Sequence, residues 1–341
     1  MQIEGFRKIE LKDMIESKKR NLFSMVDRNS NLSLIESDSF LNELNNYIWY
    51  VMKRDIPYKS LVVRKEVVEY ITDYLSYAKQ KGYITNNNVL NVLKKIIIST
   101  GSIKELNDPF LEGEASEYYL KFNFENSNFK LHMKHIIFHE LTHVIAPVNN
   151  QSLGKYTRKY VDNKNDDNNE FHTVKRNDDY DYTTIISNNM ISFLKEIIAE
   201  ATACDLAQTY QPSKEILLPN TDLCSDWVVL NNKSYQQVGY EFLKTVYDIY
   251  DERELFKKIT LDAINNQDIC LKILKRYQKM NPLHWKDDLH KITTILGNLT
   301  VNHNLGAREI SEARILMEKY VRTNDNSNSV SNSNSNGRRR I

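Results

Sequence analysis

His139-Glu140-Leu141-Thr142-His143 is the run in this chain whose residue types and spacing could do chemistry. Two histidines four positions apart lie on one face of a helix, one turn from each other, so both imidazoles can reach one ion. The glutamate after the first histidine is rotated around the helix, where it meets a water beside the ion rather than the ion itself. The chemistry this offers is hydrolysis assisted by zinc. The flanks Ile136, Ile137 and Phe138 before the run, and Val144 and Ile145 after it, are uncharged. They bury the helix on its other faces and place the ion in a dry pocket, where its charge acts strongly.

Two ligands do not complete a zinc site. His132 and His135 lie upstream, and His135, His139 and His143 form a row spaced i, i+4, i+8. On a straight helix that row spans about 12 Å, too far for one tetrahedral ion, so His135 is read as a supporting or surface residue. The metzincin peptidases place Gly and His three and six residues past the second histidine. Ala146 and Asn149 stand there, which excludes that class. A carboxylate from a later helix remains. The apolar-periodic segment 190–207 offers Glu196-Ile197-Ile198-Ala199-Glu200, in which the small Ala199 lets helices approach. Glu200, one turn past Glu196, can hold a ligand histidine by its other N–H. Glu200-Ala201-Thr202-Ala203-Cys204 repeats the spacing, with Asp205 next, so the register between Glu196 and Glu200 stays open.

With HELTH and a downstream ExxAE, the chain resembles the gluzincin group of zincin metallopeptidases over roughly residues 116–210. The resemblance implies one zinc ion held by His139, His143 and Glu196, with Glu200 steadying a ligand histidine. It implies a metallopeptidase acting on a polypeptide substrate, with Glu140 as general base. Glu140 takes the proton of the attacking water and returns it to the leaving amine. It also implies a strand beside the cleft that pairs with substrate backbone. A further donor for the oxyanion is expected, and His284, His290, His303 and several tyrosines are candidates that spacing does not separate. The rival reading is a catalytically inactive zincin-like scaffold that binds a protein partner or regulates one; the intact Glu140 speaks against it.

The elements that must position these groups can be read in outline. Ser116 to Glu125 alternates, with Tyr118, Leu120, Phe122 and Phe124 on one face, and is expected to be a half-buried edge strand. Asn126-Ser127-Asn128 breaks it and caps a helix from about Phe129 to Val144, ended before Pro147. Residues 1–100 read as helices, with Lys94 to Gly101 open to a short strand at its end. The expected organisation is 1–148, an N-terminal helical part with the edge strand and the HExxH helix. A polar insertion follows at 149–187, then a helical C-terminal part at 188–322 carrying the third ligand. The Ser/Asn/Arg tail at 323–341, which ends in Arg338-Arg339-Arg340, has nothing to bury and is expected to be disordered. The fold class expected is α+β and predominantly helical, zincin-like, with a small sheet on the active-site helix.

Composition narrows the rest. The chain has 341 residues, 41% of them hydrophobic, enough to bury a core. Its 46 Lys+Arg against 45 Asp+Glu argue against a general nucleic-acid binder, which would carry a basic excess. With 9 Gly and 6 Pro it is poor in the residues that tight β turns require. Cys204, Cys224 and Cys270 form no CxxC pair and no disulfide framework. No stretch approaches the roughly 18 apolar residues a membrane span needs. An intracellular, cytoplasmic protein without a membrane partner is expected.

Overall fold

Apolar side chains recurring at helical spacing take most of the chain into helices, and packing of those faces holds them there. The computed structural model describes residues 2–29, 31–109, 111–148, 173–208, 238–302 and 311–320. In chain order it runs α1 (Gln2–Arg28), a short 3-10 turn (Leu32–Glu36), α2 (Asp38–Asp55), α3 (Leu61–Gln80) and α4 (Val89–Ser99). Three strands follow: β1 (Ile103–Glu105), β2 (Gly113–Ser116) and β3 (Tyr119–Phe122). Then come α5 (Ser127–Ile145), α6 (Thr173–Leu206), α7 (238–247), α8 (Glu252–Ile264), α9 (Ile269–Met280), α10 (Trp285–Asn302) and α11 (311–320). The described chain is therefore predominantly helical, with one small three-stranded sheet. Among the described residues, no helix is long and apolar enough to cross a membrane.

The contacts divide the chain into two units. Unit 1 comprises Met1–Pro147, Ile198–Leu230 and Lys257–Gln267. In it α1 packs on α2 and α4, α2 on α3, and both α3 and α4 on α5. Val67, Ile71, Tyr74 and Leu75 of α3, and Val92, Leu93, Ile96 and Ile97 of α4, are fully or almost fully buried. Unit 2 comprises Val148–Ile197, Asn231–Phe256 and Asp268–Ile341. Its core is aromatic: Phe193 meets Phe242 edge-on, Phe242 meets Tyr277, and Tyr277 meets Tyr320 with ring centroids 4.5 Å apart. The Tyr320 hydroxyl donates to Asp288 Oδ2 at 2.8 Å, which satisfies a buried acid.

The sheet differs from the single edge strand expected over 116–125. That segment is the second half of a hairpin: β2 and β3 run antiparallel in the register Gly113↔Phe122 to Ser116↔Tyr119, joined by Glu117-Tyr118. β3 is the central strand, since β1 pairs parallel with its other side, and β1 and β2 are the edges. Leu120, Phe122 and Phe124 are buried as the alternation predicts, but Tyr118 stands in the turn and is exposed. A second correction concerns 94–101. Its β-branched run stays helical to Ser99, because Val89, Val92, Leu93, Ile96 and Ile97 form one buried helical face. A third concerns the insertion expected at 149–187, since 173–187 belong to α6. Residues 149–172 and the tail 321–341 lie outside the described residues.

Candidate metal centre

α5 is fixed at both ends before any ligand is considered. Asn126 caps it, its side chain accepting from the backbone N–H groups of Asn128 and Phe129. Lys95 donates to the Ile145 carbonyl at 3.2 Å, satisfying an acceptor of the last turn. Along its length Phe129, Ile137, Phe138, Leu141 and Ile145 are fully buried. Thr142, inside the HExxH run, donates to the Phe138 carbonyl at 2.8 Å and meets the Tyr74 hydroxyl of α3 at 3.1 Å. Tyr74 also stacks edge-on against Phe138. The spacer residues of the motif thus hold the helix while its histidines face the other way.

The last turns of α6 are anchored in unit 1. The Tyr83 hydroxyl donates to Asp205 Oδ2 at 3.0 Å, and Thr202 Oγ1 meets Thr260 Oγ1 at 2.9 Å. Asp205 therefore faces Tyr83 and Lys81, in a separate contact from the histidine row.

Between these helices the histidines and acids gather. His139 Nε2 and His143 Nε2 are 3.0 Å apart. His139 uses its second ring nitrogen as well: Nδ1 lies 3.2 Å from Glu200 Oε2. With Nδ1–H donated to that carboxylate, Nε2 presents a lone pair towards His143, the tautomer a ligand imidazole needs. Glu196, one turn before Glu200 on α6, joins the pair. One ligand atom each from His139, His143 and Glu196 lie within 4.8 Å of one another. Tetrahedral zinc with N and O donors separates its ligand atoms by roughly 3.4 Å. The donor set is two imidazoles and a carboxylate with a fourth position left over, so these residues fit a zinc ion in an open site.

Glu200 is nearly buried, and burial by itself would push its carboxyl up. The contacts to His135 and His139 outweigh that and hold it well below the usual carboxylate range. His135 Nε2 lies 3.1 Å from the same oxygen, Glu200 Oε2. The Cys204 thiol lies 3.4 Å from the other, Oε1. His132 marks a break in α5, with φ −118° and ψ 21°, and its Nε2 is buried with no hydrogen-bond partner among the described residues.

Glu140 is buried too, at 6% exposure, against the edge strand. A Cβ added to Gly113 of β2 would lie 2.7 Å from Glu140 Oε1 and 2.8 Å from its Cγ. Only glycine lets the strand pass this close to the acid. Sequence reasoning did not single out Gly113. Its one signal was a glycine three residues before an alternating run, in a chain that has only 9. Of the oxyanion candidates, His284 and His290 belong to unit 2, and His303 lies outside the described residues. No family model, curated protein or solved structure matches the chain.

Proposed function

We propose that the chain is a zinc-dependent metallopeptidase of the gluzincin type, with His139, His143 and Glu196 as the ligands and Glu140 as general base. One observation carries the reading. The two histidines meet at Nε2, one ligand atom of each lies within 4.8 Å of a Glu196 carboxylate oxygen, and Nδ1 of His139 lies against Glu200. A histidine pair placed only for packing has no need of both features. When bound, zinc supplies Lewis acidity and lowers the pKa of water to about 7.

The protein's own groups account for the remaining work. Glu200 holds His139 in one tautomer and one orientation. Glu140, shielded from bulk solvent beside Gly113, takes the proton of the attacking water and passes it to the leaving amine. The outer edge of β2 offers main-chain groups to an extended polypeptide, which would add as a further antiparallel or parallel strand alongside Glu140. That mode reads backbone rather than side chains and suits peptide bonds as substrates.

The test is Glu140→Gln. It should retain zinc at the wild-type level and lose cleavage of a proteome-derived peptide library by about 10²–10⁴-fold. If wild type saturated with zinc cleaves nothing in that library, the reading fails and an inactive binding scaffold takes its place.

A further inference from the structure

Cys204 and His135 have no part in the proposed hydrolysis, yet both point their ligand atoms at the same carboxylate. One ring nitrogen of His135, one oxygen of Glu200 and Cys204 Sγ lie within 4.8 Å of one another. The closest approaches to the carboxylate are 3.1 Å, from nitrogen to Oε2, and 3.4 Å, from sulfur to its other oxygen, Oε1. Zinc bound to sulfur at about 2.3 Å and to nitrogen or oxygen at about 2.1 Å sets its tetrahedral ligands roughly 3.4–3.6 Å apart. The three side chains come from two helices, one from α5 and two from α6. His135 lies one turn before His139 on α5, and Cys204 lies one turn past Glu200 on α6.

We propose that His135, Glu200 and Cys204 form a second cation site, for a zinc-class dication, beside the His139–His143–Glu196 centre. A carboxylate and a thiolate together neutralise a dication, so the loaded group adds no net charge to a half-buried place. The thiolate selects a borderline or soft ion over magnesium or calcium. Glu200 can serve both centres because its two oxygens offer about four acceptor lone pairs. Oε2 meets both His139 and His135, and Oε1 faces Cys204. Three protein donors leave a fourth position open. The site stands on its own geometry and does not depend on whether the neighbouring centre is hydrolytic.

Cobalt(II) separates the two centres, because only thiolate ligation adds a sulfur-to-cobalt charge-transfer band in the near ultraviolet. The full chain, stripped with a chelator, is titrated with cobalt(II) as wild type, Cys204→Ser and His143→Ala. Wild type should take two equivalents and show the band. Cys204→Ser should take one and lack it, and His143→Ala should take one and keep it. Absence of the band from saturated wild type overturns the proposal. So does a band that survives Cys204→Ser, which would belong to another thiol. Burial and then Asp268 push the Cys270 thiol up to about 12, so it is a poor competitor. If His143→Ala binds as many ions as wild type, the hydrolytic centre is misassigned and the second site stands. Should Cys204→Ser not fold, His135→Gln replaces it. It should lose one equivalent and the band, and full stoichiometry with an unchanged band overturns the proposal.

Discussion

Glu140 and Glu200 are both buried acids, and their neighbours give them different work. Glu140 rests against the Gly113 backbone, and Glu200 sits among His135, His139 and Cys204. Substituting the acids of α6 should separate their roles. Glu196→Ala removes a proposed ligand and should leave the protein without stoichiometric zinc at the His139–His143 centre. Glu200→Ala leaves the ligands in place but strips His139 of its acceptor, and should weaken zinc at that centre by about 10–100-fold. Competition with a chromogenic chelator measures both, and full zinc in the Glu196 variant would overturn the assignment. At this scale the HExxH run was legible because helical periodicity alone aligns two side chains four positions apart. The register on α6 was not, because Glu196, Glu200 and Cys204 repeat the same spacing on one helix. Only the approach of His135 and His139 distinguishes Glu200 from its neighbours. The role of His135 was legible in part: the row of histidines was seen to be too long for one ion, and the ring indeed meets a carboxylate instead.

The helix α5 could be read to within two residues at its start and one at its end, since an Asn cap and a following Pro leave little freedom. The strand β2 could not. Gly113-Glu114-Ala115-Ser116 carries no apolar alternation and becomes a strand only because β3 pairs with it. Gly113→Ala should test that strand's place beside the acid. Its methyl group must displace Glu140, so kcat should fall by about 10²-fold while zinc content stays at the wild-type level. An unaltered kcat would mean the carboxylate has room to move. The contact between α3 and α5 makes a separate prediction. Tyr74→Phe deletes the hydroxyl on Thr142 but leaves Thr142 bonded to Phe138. Denaturant unfolding should show a loss of about 0.5–1.5 kcal/mol. A loss below the error of the measurement would show that the contact holds nothing in place.

For the whole molecule, few glycines and prolines and one alternating run were enough to foresee a mainly helical chain with a modest sheet. The division into two units was not foreseeable, because unit 1 takes back segments from far along the sequence: 198–230 and 257–267. Such long returns are set by which buried faces match, and spacing along the chain carries no trace of them. An ion held as proposed would bind only the folded chain. Chelation should therefore lower Tm by a few degrees, and zinc should restore it; an unchanged Tm on complete removal of metal would exclude such binding. The hairpin that carries Gly113 has one more use. Tyr118 projects from its two-residue turn, 66% exposed, only a few residues from the strand edge where a polypeptide would lie. A fluorophore attached there, through a cysteine put in place of the tyrosine, should report arrival of a ligand by a change in emission. The measurement needs no turnover, so it would work equally in a variant that cannot cleave.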